Sequence, residues 1–149
     1  MIQRRQTVYL LLALASLIVC LCLPIGKIDD TAGKVVAVWY NYGLTVNNVV
    51  TAHPLLFVEL IVTGVLTLIT IFLYHRRKLQ MTLCLGCIFL CGVWYGSYVF
   101  YATETFEQLG TFKFCFAACL PLVAVIFFFL ARKGVKHDED LIKSMDRIR

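Results

Sequence analysis

Three sets of side chains in this 149-residue chain have types and spacings that bear on chemistry. Glu59 is the one acid inside an apolar run. It lies four residues after Leu55, hence about 6 Å along a helix at roughly 1.5 Å per residue. A carboxylate placed so is costly and is a candidate for proton or cation handling. No second acid or histidine stands in an apolar run to relay to, and a bond at the interface or to a loop residue accounts for Glu59 more simply. Cys84, Cys87 and Cys91 repeat at helical intervals, as do Cys115 and Cys119. Thiolates at such spacing can hold a metal or cluster. His53, His75 and His137, however, all lie at the edges of apolar runs or in the tail, so packing of small soft side chains explains the cysteines better. The third set is the basic run His75-Arg-Arg-Lys78.

That run sits between two long apolar stretches, Leu55–Tyr74 and Leu83–Tyr101. Two such stretches with only a short basic turn between them predict a transmembrane hairpin. The composition agrees, at 60% hydrophobic and 15% charged residues with a mean hydropathy of +0.82. The net charge of +5 sits in short blocks beside apolar runs, which fits a membrane surface and argues against a nucleic-acid partner. All seven cysteines fall within apolar runs and none in a loop, so no disulfide framework is expected.

Two further apolar runs complete four spans, at about 7–23, 55–74, 83–101 and 114–131. The first follows a basic start and shows no small-residue cleavage site, so it reads as a retained span and not as a signal peptide. Residues 24–54 form the one long polar connection. In it Val35–Tyr42 and the weaker Leu44–Val50 predict a small β-hairpin on the outer face, with Trp39, Tyr40 and Tyr42 at the headgroup level. Pro54 suits the first turn of span two. Thr103–Lys113 reads as a polar link, and Pro121 predicts a kink in span four. In the tail, 132–149, Asp138 reads as the cap of a separate amphipathic helix with Leu141, Ile142, Met145 and Ile148 on one face. The expected fold is therefore an all-α membrane protein, a four-transmembrane-helix bundle in one domain, with a small extracytoplasmic β-hairpin and a cytoplasmic amphipathic tail helix.

Lys and Arg number two at the start, three in the central turn and six in the tail, eleven of the fourteen in the chain. Lys27, Lys34 and Lys113 lie on the other side. This bias predicts cytoplasmic termini and a cytoplasmic central turn.

Three stretches carry a resemblance: Met1-Ile-Gln-Arg-Arg-Gln-Thr-Val-Tyr-Leu10, Ile71-Phe-Leu-Tyr-His-Arg-Arg-Lys-Leu-Gln80 and Asp140-Leu-Ile-Lys-Ser-Met-Asp-Arg-Ile-Arg149. In order and position the chain resembles a family of small bacterial membrane proteins of unknown function, departing from its usual pattern at His75 and Ile148. The resemblance implies four spans and a bacterial cytoplasmic (inner) membrane, and it implies no activity. All three stretches fall on the predicted cytoplasmic side. Basic residues there serve topology, whereas Gln3, Gln6, Gln80 and Asp146 do not. The start, turn and tail are therefore expected to pack into a polar cap that includes Gln3, Arg4, Arg76, Arg77, Lys78, Gln80, Asp146, Arg147 and Arg149.

Gly92-Val-Trp-Tyr-Gly96 places two small residues on one helix face and predicts a helix contact, within the bundle or between copies. No Walker loop, zinc motif, serine elbow or nucleotide fingerprint is present, so neither a cofactor nor a catalytic residue is assigned. The leading expectation is a non-enzymatic membrane protein acting through its polar cap or outer hairpin. The lipid bilayer is its surroundings, and a membrane-protein partner or a second copy is the expected contact. A small oligomeric transporter or channel using Glu59 is the alternative, and a membrane redox protein ranks third.

Overall fold

The computed structural model describes residues 3–29, 34–46, 49–74, 76–105 and 111–146, without the side chains of residues 3–5, 104, 105, 143, 145 and 146. Four helices, α1 (Gln3–Cys22), α2 (Leu55–Phe72), α3 (Arg77–Phe100) and α4 (Leu120–Asp146), carry most of the chain. Their buried positions recur at intervals of four and three residues. In α1 these are Gln6, Leu10, Ala13, Leu17 and Cys20, and in α2 Leu56, Leu60, Thr63, Thr67 and Thr70. In α3 they are Gln80, Cys84, Cys87, Cys91, Trp94 and Tyr98. This alternation of four and three is the seam expected of helices packed side by side along their length. Accordingly, the helices close a ring in which α1 touches α2 and α4, and α3 touches α2 and α4.

The seam is unusual in being the more polar side. Thr63, Thr67 and Thr70 face inward, each hydroxyl donating to the carbonyl four residues earlier: Glu59, Thr63 and Leu66 respectively. Outward, the same helices present Leu11, Ile18, Val58, Val62, Leu68, Phe89 and Phe129 to the surroundings. In water such apolar faces would drive association; against hydrocarbon they are at rest, and small or self-satisfied polar residues are what helix contacts use.

The expected all-α fold is corrected by a five-stranded antiparallel sheet in the order β4-β3-β2-β1-β5. The strands are β1 (Gly26–Asp29), β2 (Val35–Tyr40), β3 (Gly43–Val46), β4 (Val49–Ala52) and β5 (Thr111–Phe114). The predicted hairpin is thus only its middle. Strand β5 comes from the stretch read as a polar link and the start of span four, and it pairs with β1, Ile28 facing Phe112 and Gly26 facing Phe114. Lys27 and Lys113 fall opposite each other in this register, and Lys113 swings to Asp29, Nζ to Oδ2 2.6 Å. Strand β2 alternates, with Ala37 and Trp39 buried, because one sheet face closes the end of the bundle. Ile25, Ile28, Ala37, Trp39 and Leu44 share one core with the helices.

Two further expectations are corrected. No separate tail helix forms: α4 runs unbroken for 27 residues, about 40 Å at roughly 1.5 Å per residue. The glycine that might have broken it, Gly134, instead allows α1 to approach, since a Cβ there would stand 3.2 Å from Gln6 Cγ. Pro121 does not kink a span either. It sits in the first turn of α4, after a 3-10 turn at Phe116–Cys119, where its missing N–H is tolerated.

Candidate functional site

At the end of the bundle away from the sheet, the start of α1, the α2–α3 turn and the last turns of α4 come together. Gln6 Nε2 donates a hydrogen bond to Asp138 Oδ2, joining α1 to α4. Both side chains are withdrawn from solvent, at 7% and 8% exposure, which makes the pair a closed contact and not a surface one. Neighbouring Gln80 is also buried, and its Nε2 donates to Thr70 O at 3.4 Å. Thr70 is in the last turn of α2, whose final carbonyls have no intrahelical donors, so Gln80 supplies one. Arg76, Arg77, Lys78 and Leu79 line an open depression together with Glu139 of α4.

The residues expected in the cap are placed as follows. Arg76, Arg77 and Lys78 line the same open depression as Glu139 of α4, and Gln80 turns inward to hold α2. Gln3 and Arg4 lie on α1 and Asp146 at the end of α4, with side chains outside the description; Arg147 and Arg149 lie outside the described residues, as does His75. Asp138, expected to cap a tail helix, is instead the buried partner of Gln6. Sequence offered a signal for this pair. Gln6 continues the interval of Leu10 and Ala13, and Asp138 that of Ala131 and Val135, so each was due to face inward.

At the sheet end, Trp39 is fully buried and does not anchor at a headgroup level as predicted. Its ring stacks on Tyr98 of α3 at 4.8 Å and 6°, and Tyr98 stacks in turn on Trp94 at 5.2 Å and 15°. Tyr40 and Tyr42 stack on each other, with Tyr42 exposed. Asn41, in the two-residue turn between β2 and β3, is also fully buried. It donates to Cys20 O at 2.7 Å, one of the free carbonyls ending α1, and accepts from Trp94 Nε1 at 3.2 Å. Tyr98 donates to Ile25 O at 2.9 Å. Asn41, Trp94 and Tyr98 thus fasten the sheet end to α1 and α3, a role that sequence reading did not assign.

Glu59 finds a partner across the α2–α3 contact: Ser97 Oγ donates to its Oε1 at 2.9 Å. Its Oε2 is buried and has no hydrogen-bond partner among the described residues. Gly92 and Gly96 face outward with nothing within 4 Å of a Cβ placed on either, so their face is not a contact inside this bundle. Cys84, Cys87 and Cys91 share the inward face of α3, and Cys20 is buried too. Cys115 departs from the expectation that every cysteine lies in a span, standing half-buried in the link between β5 and the 3-10 turn. All seven cysteines are free thiols, and no cluster of three or more potential metal ligands occurs among the described residues.

Three helices, Leu55–Phe72, Arg77–Thr103 and Phe116–Ile142, are long and apolar enough to cross a membrane, and α1 contributes a shorter apolar helix over Gln6–Cys22. A bundle that draws threonine, glutamine and cysteine into its seam and leaves many large apolar side chains exposed on its outside has the build of a membrane protein. The chain belongs to the family described as a domain of unknown function (DUF4293), whose model matches residues 2–148. No curated protein matches it.

Proposed function

We propose that this is a four-span integral protein of the bacterial cytoplasmic membrane that acts without catalysis, through contacts made at its basic end. The observation that carries the reading is the inverted burial of the helices, with Thr63, Thr67, Thr70 and Gln80 inside and Phe89, Val62 and Phe129 outside. Helix α1 supports the fourth span: its Val8, Leu11, Leu12, Ile18 and Val19 are exposed in the same way, although its apolar stretch is shorter. Eleven of fourteen Lys and Arg stand at the start, the α2–α3 turn and the tail, which favours a cytoplasmic basic end and a sheet on the outer side. The meeting of Gln6 with Asp138, and of Arg76–Lys78 with Glu139, supports a shaped surface there and not three loose ends.

Reporter fusions at Lys34, Lys78 and the C-terminus test the topology; external activity at Lys78 would sink it. Affinity purification in mild detergent tests the mode of action, a stoichiometric membrane partner or a second copy being expected.

A transporter or channel centred on Glu59 is the second reading, favoured by the buried Oε2 without a partner. Against it, Leu60, Cys87, Cys91, Trp94 and Phe128 are buried together in one core between the helices, which favours a path between copies over one through a single bundle.

A further inference from the structure

We propose that the depression at the α2–α3 turn is a site for the phosphate headgroup of an anionic phospholipid. The proposal rests on the membrane-spanning reading above and adds a ligand to its basic end. The depression is open, about 520 Å3 in volume, and lined by Arg76, Arg77, Lys78, Leu79 and Glu139. Three cations face one carboxylate, and among the described residues none of the three is joined to an acid in an ion pair. Three cations gathered in a recess against a single carboxylate leave an excess of positive charge that suits a phosphate, for which a guanidinium offers paired parallel donors and an ammonium a point charge.

The backbone adds to this. Helix α3 begins at Arg77, and Arg76 before it makes no side-chain cap. The first amides of a helix have no intrahelical acceptor, and the helix dipole favours an anion beside them.

The apolar surroundings decide between a lipid and a free phosphate. Leu79 in the wall of the recess is exposed, and so are Phe72 and Tyr74 where α2 ends, Phe72 at 74%. A cationic pocket with Leu79 in its wall and exposed Phe72 and Tyr74 only a few residues away in the chain has the two-part chemistry of a headgroup and its acyl chains. Basic side chains just outside the cytoplasmic end of a span are also where anionic lipids gather. A soluble phosphate or an acidic protein segment has no use for the exposed Phe72 and Leu79.

The test uses the full chain in nanodiscs of zwitterionic phosphatidylcholine, or of the same lipid mixed with phosphatidylglycerol. Intrinsic fluorescence of buried Trp39 and Trp94 follows unfolding. The expected result is a midpoint higher by about 2–5 °C in the anionic discs, the size given by a tenfold excess of lipid over its dissociation constant. That shift should vanish in the triple variant Arg76→Gln, Arg77→Gln, Lys78→Gln. If the triple variant does not insert, Arg77→Gln alone serves: a reduced shift supports the site and an unchanged one overturns it. Equal midpoints for wild type in both lipids, or a full shift in the triple variant, would overturn the proposal. Millimolar inorganic phosphate or polyglutamate reproducing the shift in phosphatidylcholine discs would overturn the lipid in favour of a soluble anion or an acidic protein. Failure of the wild type to resist carbonate extraction is a separate result, which overturns the membrane-spanning reading itself.

Discussion

The hydroxyl of Tyr95, on α3, accepts the backbone amide of Leu122, on α4, at 3.0 Å. It also donates to the carbonyl of Ala118 at 2.8 Å. In an unbroken α-helix Leu122 N–H would bond Ala118 O directly; here the 3-10 turn and Pro121 open that junction, and one side chain from a neighbouring helix fills it. Tyr95→Phe keeps the ring and removes both bonds. It is expected to destabilise the chain by about 1–3 kcal/mol, the cost of leaving two backbone groups unmet in a span, where hydrocarbon offers them no partner. A thermal melt in detergent reads this, and an unchanged midpoint would mean that α4 closes the junction itself.

Strand β5 is held against β1 by a close approach at Gly26. A Cβ on that residue would meet the Phe112 ring at 2.6 Å and Trp39 at 3.2 Å. Gly26→Ala is therefore expected to push Phe112 off the sheet and cost about 1–3 kcal/mol, typical of overpacking. Amide exchange across Thr111–Phe114 should accelerate while exchange in α2 stays unchanged.

The sheet and the helices differ in how far they could be read ahead. Runs such as Leu55–Tyr74 announce helices because an apolar stretch of that length has few other uses. Strands β1 and β5, four residues each, carry no usable periodicity, and their pairing joins Gly26 to Phe114 across two intervening spans. The basic turn was legible from charge alone. For Gln6 and Asp138 the helical interval showed that each faces inward, but not that they meet, because the two are 132 positions apart. Trp39 was misplaced for a related reason: an aromatic residue flanking a span fits a lipid interface until a Tyr98 is known to wait beneath it.

Gly92 and Gly96 make opposite predictions for one copy and for two. With nothing within 4 Å, Gly92→Leu and Gly96→Leu should leave the stability of a single copy unchanged, or raise it through better helix propensity by up to about 1 kcal/mol. If the outward face is where copies meet, the same variants should abolish crosslinking between differently tagged chains. Crosslinking undiminished in both would remove this face from any account of self-association.

For Glu59, the amide variant separates structure from ion handling. Glu59→Gln retains an oxygen to accept from Ser97 Oγ. Abundance and melting midpoint are expected to stay near wild type, within about 0.5 kcal/mol. With structure preserved, loss of a cellular phenotype would mean that the charge itself is used, and the transporter reading would move ahead of the interaction reading.

The Gln6–Asp138 contact lends itself to a double-mutant cycle, because the two sites on α1 and α4 are buried and joined by one hydrogen bond. Asp138→Ala leaves the Gln6 amide buried without its acceptor, and Gln6→Ala leaves a carboxylate in the same condition. Each single change is expected to cost about 1–3 kcal/mol, the carboxylate case being the worse. Replacing both by alanine removes the polar groups together and should cost much less than the two single changes combined, giving a coupling energy of about 0.5–3 kcal/mol. Protease accessibility of the α4 tail in inside-out vesicles should rise in both single variants and return toward wild type in the double. Additive losses in the melt, with cleavage equal in all four proteins, would mean that the two ends of the chain are not held together by this bond.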